Sequence, residues 1–495
     1  MGTESLAGAQ ATTGFRYLRL ADNLEEEIRQ GVYRAGDKLP AIRTMHARAG
    51  VSITTVCQAY GELEKRGLVE PRSRSGYYIK AGGRELLPLP TVHRGRVGPV
   101  RVAVNVLAEA LQETMDDDAM LPLAAVVPGA DVLPLRQLAG SMRTVTARYP
   151  NGNGFAYGPP GGLLSLRRQI AKRMADCGVA GGADEVVITS GCMEAISLCL
   201  RAVAGPGDTV LVESPTFVCY LQLIEDLNMM ALEIPADPEQ GVDLDALEQA
   251  VAEHGARAAI VNPNFQNPLG FEMAAADKER LVSFLAARRI PLIEDDIYGE
   301  LHFGRSRPTL LKALDRDGLV LYCSSFSKAL APDLRVGWTM PGRFIDRVRR
   351  LKFNSTIAAP KLNQLIIDDF LQNGHFDRHL RRMRSTMRNR VDNLARLVAR
   401  FFPAGTKISA PRGGYILWVE LPGGADGFEL FHRARAAGIA ILPGEICSGS
   451  GRHRNCIRLC GSLPWSEELE RGVATLGGIV AELAGGAGGL RPAGG

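Results

Sequence analysis

The chain has 495 residues, 46% of them hydrophobic, and a formal net charge of only +4 at pH 7. This length predicts several domains with room for a large core, and the small net charge excludes a polycation, so that any nucleic-acid surface must be local. The beginning of the chain has the pattern of neither a signal nor a transit peptide, and no apolar stretch reaches the roughly 18 residues of a membrane span. The nine cysteines are scattered without metal-ligand spacing. We therefore expect a cytoplasmic protein that contacts no membrane and binds no metal.

The first eighty residues alternate amphipathic segments with turns. Apolar periodicity predicts three helices, at residues 18–30, 42–49 and 53–66. Ser52 is suited to cap the third helix, and two short strands follow around a basic tip that carries Arg72 and Arg74. This order of elements is that of a winged helix-turn-helix, whose third helix fits the major groove of DNA while the wing reaches phosphates or the minor groove. The pattern alone is also compatible with a small helical dimerisation cap whose charges are merely solvated.

Short motifs in this region resemble the GntR family of bacterial regulators over about residues 14 to 80. They are GDKLPAIR at 36–43, GVSITTV at 50–56, AYGELEKRGLV at 59–69 and SGY at 75–77. The resemblance implies a DNA-binding domain, which we place at residues 12–80. It implies DNA contacts from Arg43, Ser52, Thr54, Thr55, Arg72, Arg74 and Gly76. Ile53 departs from the family, which commonly has arginine there, so one phosphate or base contact is in doubt.

Glycines and prolines interrupt the periodicity between residues 81 and 121, so we expect an interdomain linker there, partly extended. From residue 122 to residue 484, short apolar runs alternate with helical patterns. Such alternation predicts an α/β domain with a mostly parallel central sheet, in which ligands bind at the carboxyl ends of the strands. A small C-terminal subdomain is expected around the strand-like segment 413–419, and the glycine-rich tail, residues 485–495, is expected to be disordered.

The most distinctive stretch is the hydroxyl-rich turn SSFSK at residues 324–328, which follows a predicted buried strand. Lys328 could form an imine with a phosphorylated aldehyde, and the neighbouring serines and Arg335 could bind the phosphate. Gly191 and Cys192 open a predicted helix, whose backbone amides could bind an anion. The alternative is a solvated lysine on a polar loop.

Other polar and aromatic side chains come at the ends of predicted strands or in turns. Asp295 follows a predicted strand at residues 290–293 and could pair with a protonated ring nitrogen, while Tyr298 offers a hydroxyl. Asn267 offers an amide in a turn, and Phe217 offers an aromatic face. Taken singly, each is compatible with a purely structural role, as a satisfied buried carboxylate, an ordinary Asn-Pro turn or a core aromatic.

The order of these groups along the chain resembles the fold-type I pyridoxal-phosphate enzymes, the aspartate aminotransferase superfamily. By this resemblance, Lys328 would hold the internal aldimine of pyridoxal 5'-phosphate. Asp295 would keep the pyridinium protonated, which makes the ring an electron sink. Asn267 and Tyr298 would bond the phenolic oxygen of the ring, and Phe217 would stack on it.

The resemblance also implies binding sites for the phosphate and for a substrate. The phosphate would be bound by Gly191, Cys192, Ser325, Ser327 and Arg335. Tyr157 matches the tyrosine that one subunit of such a dimer donates to its neighbour's phosphate. Arg458, with Asn267, matches the pair that holds an amino acid, since a guanidinium can grip the α-carboxylate with two hydrogen bonds. For Arg458 alone, an ordinary surface ion pair on a strand remains the alternative.

A GntR-type winged helix joined by a linker to an aminotransferase-like domain is the arrangement of the MocR subfamily, which nearly the whole chain resembles. The resemblance implies a cytoplasmic, homodimeric transcription regulator. It would bind a double-stranded DNA operator and sense pyridoxal phosphate, or an amino compound that forms an aldimine with it. One alternative is a working aminotransferase with an accessory DNA-binding module. Another is a scaffold that has lost the cofactor and only dimerises.

Overall fold

The computed structural model describes residues 16–29, 32–33, 36–65, 68–72, 75–79, 87–95, 97–105, 107–109, 119–149 and 156–486. The chain divides into two compact units, Met1–Gly83 and Arg84–Gly495. None of the helices in the described segments is both long and apolar enough to cross a membrane. The predicted wing contact Arg74 and residues 487–495 of the glycine-rich tail lie outside the described residues.

The smaller unit has the order of elements that the sequence predicts for a winged helix-turn-helix. Its elements are α1 (Arg16–Arg29), α2 (Ile42–Ala49), α3 (Ile53–Lys65), β1 (Val69–Arg72) and β2 (Gly76–Ile79). The two strands pair antiparallel as the wing. All five elements meet in one core, in which Leu24, Met45, Val56, Val69 and Ile79 are buried. Each element is apolar on one side only, so the core forms when these faces pack together.

Local chemistry sets the tight turn between α2 and α3. Gly50 ends α2 in the left-handed conformation, with φ 63°, and donates its N–H to the carbonyl of His46. The hydroxyl of Ser52 accepts a hydrogen bond from the backbone N–H of Thr55 at 3.1 Å, which confirms the predicted N-cap. The start of α3 is therefore fixed, and Ser52 and Thr54 are exposed there.

The larger unit is built on a nine-stranded sheet. The strands of this unit, in chain order, are β3 (Pro99–Arg101), β4 (Leu121–Pro122), β5 (Val187–Thr189), β6 (Thr209–Ser214), β7 (Met230–Asp237), β8 (Gly241–Val242), β9 (Ala258–Val261), β10 (Leu292–Asp295), β11 (Val320–Ser325), β12 (Gly337–Met340), β13 (Lys407–Ile408), β14 (Ile416–Glu420), β15 (Ile439–Ala440), β16 (Leu442–Pro443) and β17 (Cys456–Cys460). The large sheet has the order β3-β7-β6-β9-β10-β11-β12-β5, with β8 paired to β7. Strands β7, β6, β9, β10 and β11 run parallel, which confirms the predicted mostly parallel sheet.

Helices cover both faces of this sheet. The helices of this unit, some of which pack instead around the short C-terminal strands, are α4 (Leu135–Arg148), α5 (Leu164–Asp176), α6 (Cys192–Val203), α7 (Val218–Asp226), α8 (Leu244–His254), α9 (Ala275–Ala287), α10 (Leu311–Leu314), α11 (Ile345–Thr356), α12 (Lys361–Gln372), α13 (His375–Phe401), α14 (Gly427–Ala436) and α15 (Glu467–Gly486). Successive residues of β6 enter different cores, Val210 and Val212 on one side and Leu211 on the other. Strands buried on both faces read as continuous apolar runs, which is why the sequence pattern identified them.

Part of the stretch predicted as a linker, residues 81–121, packs within the larger unit. Here β3 pairs antiparallel with β7 at the edge of the sheet, and Val102 and Val104 are buried in the core. The hydroxyl of Thr91 donates to Glu420 Oε1 at 3.0 Å. A strand of three residues is too short to be recognised by periodicity, so the sequence did not predict it. The boundaries of the domains themselves stay a prediction.

A second, four-stranded sheet has the order β13-β14-β17-β16. The strand predicted at residues 413–419 begins at Ile416 instead, because Gly414 adopts a positive φ of 69°. Within this sheet Arg458 of β17 lies opposite both Trp418 and Leu442. The short strand β4 pairs with β15, so the residues that follow β4 lie close to this small sheet.

Candidate functional site

Most of the predicted site residues line one cavity of about 420 Å³ at the carboxyl ends of β10 and β11. The predicted residues in its wall are Cys192, Phe217, Asn267, Asp295, Tyr298, Ser325, Ser327, Lys328, Arg335 and Arg458. They come from distant parts of the chain, and they meet because the carboxyl ends of parallel strands share one edge of the sheet. Two predicted residues are not in this wall. Gly191 lies next to the guanidinium of Arg335, and the side chain of Tyr157 is 84% exposed.

Lys328 follows the end of β11, and its Nζ donates a hydrogen bond to the carbonyl of Val126. Burial lowers the pKa of the ammonium to about 8, and the nearby charge of Arg458 acts in the same direction. A buried amine loses the solvation that stabilises its charged form. Near neutral pH, Lys328 therefore has an appreciable neutral fraction, which is the nucleophilic form of an amine.

The sequence predicts Asp295 to follow the strand, whereas in the structure Asp295 is the last residue of β10. The strand extends this far because Asp295 continues the parallel register with Cys323 of β11. Its Oδ1 accepts hydrogen bonds from the backbone N–H of Ile297 at 2.9 Å and from the thiol of Cys192 at 3.5 Å. Its Oδ2 accepts one from the hydroxyl of Tyr220. Burial raises the pKa of this carboxyl to about 6, although these donors favour its ionised form.

Tyr220 and Asn262 are site residues that the sequence reasoning missed. Tyr220 lies on α7, three positions after Phe217, and the two rings pack edge to face with centroids 5.4 Å apart. Residues three apart share a helix face, so a helix drawn from Phe217 would have pointed to Tyr220. The amide of Asn262 donates to the backbone carbonyl of Asp295 at 2.6 Å and accepts from the backbone N–H of Asn267 at 2.9 Å. Asn262 therefore ties two predicted site residues together.

Arg458 is buried, with 4% of its surface exposed. One terminal nitrogen donates to Asn267 Oδ1 at 3.1 Å, and the other donates to the carbonyl of Ala124 at 2.8 Å. Its Nε has no hydrogen-bond partner among the described residues. No carboxylate is bonded to this guanidinium in the described part of the chain. A buried cation in this state can accept an anion that enters the cavity.

Arg335 lines the cavity beside the start of α6, the place that the sequence predicts to bind a phosphate. Arg335 donates to the carbonyl of Ser190 at 2.9 Å and to the hydroxyl of Ser327 at 3.3 Å. Ser327 in turn donates its backbone N–H to the hydroxyl of Ser325 at 3.2 Å. Gly191 has φ 97°, and a Cβ at this position would lie 2.3 Å from a guanidinium nitrogen of Arg335. Only glycine therefore allows the arginine to lie this close to the first turn of α6.

Tyr298 and Cys192 contribute in different ways. Tyr298 is buried, its ring packs edge to face against Tyr415 at 5.7 Å, and burial raises the pKa of its phenol well above the ordinary value. Its hydroxyl therefore stays protonated and able to donate. Cys192 begins α6, but its thiol points to Asp295, so only its backbone amide is free to serve the phosphate role that the resemblance implies.

In the smaller unit, the predicted DNA contacts lie on the exposed side of the helix-turn-helix. Arg43, Ser52 and Thr54 are exposed and Thr55 is half-buried. In the wing, Gly76 is the first residue of β2 and has φ 112°, and Arg72 is the last residue of β1. Ile53 is 47% exposed at the start of α3, where an apolar side chain has no core to join. The contacts to DNA remain a prediction.

Comparison with known proteins gives matches to both units. Residues 139–476 match the family model for aminotransferase class I and II, and residues 16–79 match that for bacterial regulatory proteins of the gntR family. The HTH-type transcriptional regulator YjiR of Escherichia coli is 37% identical over 94% of this chain and 98% of its own length. YdcR of the same organism is 37% identical over 94% of this chain and 99% of its own.

Among solved structures, the larger unit is similar to LysN, an α-aminoadipate aminotransferase from Thermus thermophilus that was solved with N-(5'-phosphopyridoxyl)-L-leucine. The TM-score is 0.71 at 28% identity, and the likeness covers 78% of this chain and 96% of LysN. Fold, site and matches together define a class of protein, a GntR DNA-binding unit fused to a fold-type I aminotransferase domain that depends on pyridoxal phosphate. Within that class, the chain belongs to the HTH-type transcriptional regulators of MocR-like architecture.

The residues of this cavity fit pyridoxal 5'-phosphate. Arg335, whose guanidinium lies too close to Gly191 for a Cβ at that residue, lines the cavity together with Ser325 and Ser327, and these three groups suit a phosphate. The lysine with the lowered pKa and the carboxylate Asp295 line the same wall. Arg458 is a second cation in this wall, and no carboxylate of the described residues is bonded to it. The cavity can therefore hold a phosphorylated cofactor and a carboxylate ligand together.

Proposed function

We propose that this regulator uses its aminotransferase-like domain as a sensor. Through bound pyridoxal phosphate it would detect an amino compound, and the result would change its affinity for an operator. One observation carries the proposal, the convergence of Lys328, Asp295 and Arg458 on one cavity in a chain that also has a GntR unit. A protein used only for catalysis does not need the DNA-binding unit, and a constitutive repressor does not need the cavity.

In this proposal each side chain has a separate task. When bound, the cofactor supplies an aldehyde that condenses with amines and a ring that withdraws electrons. Lys328 supplies the amine that attaches the cofactor, and Asp295 holds the ring nitrogen through an ion pair. Arg458 binds the α-carboxylate of the effector, and Asn267 orients the guanidinium through the 3.1 Å hydrogen bond. A larger group serves the remaining parts of the cofactor, namely Gly191, Cys192, Ser325, Ser327 and Arg335 for the phosphate and Tyr298 and Phe217 for the ring.

We also propose that the regulator acts as a cytoplasmic homodimer. Tyr157 is 84% exposed and is absent from the described wall of the cavity of its own chain. An exposed aromatic of this kind suits an interface between two copies, across which it would reach the partner's phosphate site. A twofold dimer also matches an operator with two half-sites. Sedimentation of the whole protein should give a dimer, and Tyr157→Ala should weaken cofactor binding; a monomer that binds the cofactor equally well would contradict this.

A working aminotransferase is the second candidate, and the completeness of the residue set favours it. LysN, which is similar over most of the larger unit, is an aminotransferase. The two functions differ in turnover. Steady conversion of an amino acid and a keto acid at an enzyme-like rate, about 1 per second or faster, would favour the enzyme. A change in the cofactor absorbance without turnover would favour the sensor.

Covalent labelling tests the attachment of the cofactor. Borohydride reduction of the protein with pyridoxal phosphate should leave a pyridoxyl group on Lys328, detected by peptide mass spectrometry. Lys328→Ala should remove the label, whereas Lys172→Ala, at an exposed lysine on α5, should leave it unchanged. Label on Lys172 or on no lysine would refute the site.

DNA binding tests the regulatory step. The whole protein should retard the DNA upstream of its own gene in a gel-shift titration, and an amino compound should change the midpoint of that titration. Lys328→Ala should still bind the DNA but should no longer respond to the amino compound. Equal responses of the variant and the parent would show that the cavity does not communicate with the DNA-binding unit.

A further inference from the structure

Apart from its hydrogen-bond partner Asn267, Arg458 has apolar residues near it in the wall of the cavity. Leu442 lies directly opposite Arg458 in the register of β16 and β17, and Ile446 lines the cavity just beyond it. On the other side, the segment 124–127 supplies small and branched side chains. This segment is held in place at two points, since Ala124 accepts a hydrogen bond from Arg458 and Val126 accepts one from Lys328. An effector whose α-carboxylate is bound to Arg458 would therefore extend its side chain between these apolar surfaces.

Every cation in the described wall already has a task in the proposed function. These residues are Lys328, Arg335 and Arg458. In the proposed function, the first attaches the cofactor through its aldehyde, the second binds the cofactor phosphate and the third binds the α-carboxylate of the effector. The lining also contains the neutral polar side chain of Gln222 and the thiol of Cys219. Burial raises the pKa of the Cys219 thiol to about 11, so it carries no charge at neutral pH.

We propose that the effector is an α-amino acid with an uncharged, apolar side chain, and that amino dicarboxylates such as glutamate are excluded. This inference rests on the proposed sensing function and names the class of ligand for that site. An apolar side chain gains from burial against Leu442, Ile446 and the segment 124–127. A side-chain carboxylate would lose its hydration there, and the described wall of this chain offers no further cation to pair with it, which is strongly unfavourable.

Three probes separate charge from shape. L-leucine, L-glutamine and L-glutamate are titrated into the whole protein loaded with pyridoxal phosphate, and binding is followed by the cofactor absorbance and independently by the melting temperature. Glutamine has nearly the shape of glutamate without its charge, so the difference between these two isolates the cost of the second carboxylate. We expect leucine to bind most tightly and glutamate to bind at least about tenfold more weakly than leucine, since a buried unpaired charge costs more than 1.4 kcal/mol.

A cation added to the wall should reverse the exclusion. Val127 is 42% exposed and lines the cavity, so a longer side chain at this position does not have to displace the core. Val127→Arg should raise the affinity for glutamate relative to leucine by at least about fivefold, because the guanidinium can pair with the second carboxylate. Val127→Gln is the matched control, because it introduces a polar side chain without a charge. It should not raise the affinity for glutamate relative to leucine.

The outcomes are distinct. Glutamate binding as tightly as leucine to the parent protein would overturn the inference and leave the sensing function standing. An unchanged ratio of glutamate to leucine affinity in Val127→Arg would show that charge does not cause the discrimination, and it would also overturn the inference. No response to any of the three amino acids, in absorbance or in melting, would overturn the sensing function and this inference with it.

Discussion

Replacing Tyr220 by phenylalanine tests how the carboxylate of Asp295 is kept ionised. The phenol donates to Asp295 Oδ2, while Ile297 and Cys192 donate to Oδ1. A hydrogen bond to a charged group contributes about 1.5–3 kcal/mol, so its loss should raise the pKa of Asp295 by about one to two units. The pKa of Asp295 is about 6 with Tyr220 present. In the variant it should be about 7–8, so that much of the carboxyl is protonated at neutral pH.

The assay is the affinity for pyridoxal phosphate measured from pH 6 to pH 9. At pH 7 the ionised fraction of Asp295 should fall enough to weaken binding by about two- to tenfold, because the ring nitrogen loses its ion pair. At pH 9 both proteins should have an ionised Asp295, and the two affinities should converge. Tyr415→Phe is the matched control, since it removes a buried hydroxyl that has no partner among the described residues. Equal affinities of Tyr220→Phe and the parent at pH 7 would refute the reasoning.

Further predictions concern the stability of the fold and the two binding surfaces. Burial raises the pKa of Glu213 from 4.5 to about 8, so its contribution to stability is present below pH 4.5 and is lost as the pH rises towards 8. Glu213→Gln should therefore reduce the fall in melting temperature between pH 5 and pH 8, and an unchanged slope would contradict this. Ser52→Ala should lower the stability of α3 by about 1 kcal/mol in hydrogen exchange. Thr54→Ala should leave that stability within about 0.5 kcal/mol while weakening DNA binding in a titration; an unaltered affinity would remove Thr54 from the interface. Gly191→Ala should weaken cofactor binding by about tenfold or more, because its Cβ would meet Arg335 and its φ is unfavourable for alanine; an unchanged dissociation constant would show that the first turn of α6 can shift.

The elements of the fold could be predicted because their signals are local. Gly50 and Ser52 mark the end of one helix and the start of the next through contacts within a few residues. The buried strands are continuous apolar runs, and their alternation with helices determines that they lie parallel. Once β10 and β11 are assumed to be parallel, Asp295 and Lys328 must lie at the same edge of the sheet, because each residue lies at the carboxyl end of its strand.

Contacts between distant segments could not be predicted in the same way. Tyr220 reaches Asp295 only because α7, which packs against β7, brings its hydroxyl to the end of β10, and no local pattern specifies that position. The same holds for the backbone carbonyls of Ala124 and Val126, which carry no side-chain signal yet accept hydrogen bonds from Arg458 and Lys328. A carbonyl is present at every residue, so only the packed structure selects which one is used.

Asn267 shows how one residue can couple the two ends of the cavity. The family resemblance implies two separate roles for Asn267, one at the ring oxygen of the cofactor and one at the substrate. In the structure its side-chain oxygen accepts a hydrogen bond from Arg458. An amide has one acceptor oxygen and a separate donor nitrogen, so Asn267 can hold the guanidinium with the first and a ring oxygen with the second. Its backbone is fixed by Asn262, which also bonds the carbonyl of Asp295. In the proposed function, in which the cofactor ring bonds Asn267 and the effector binds Arg458, a shift of the ring would act on the guanidinium through this amide, and this connection would supply a physical route by which cofactor and effector binding depend on each other.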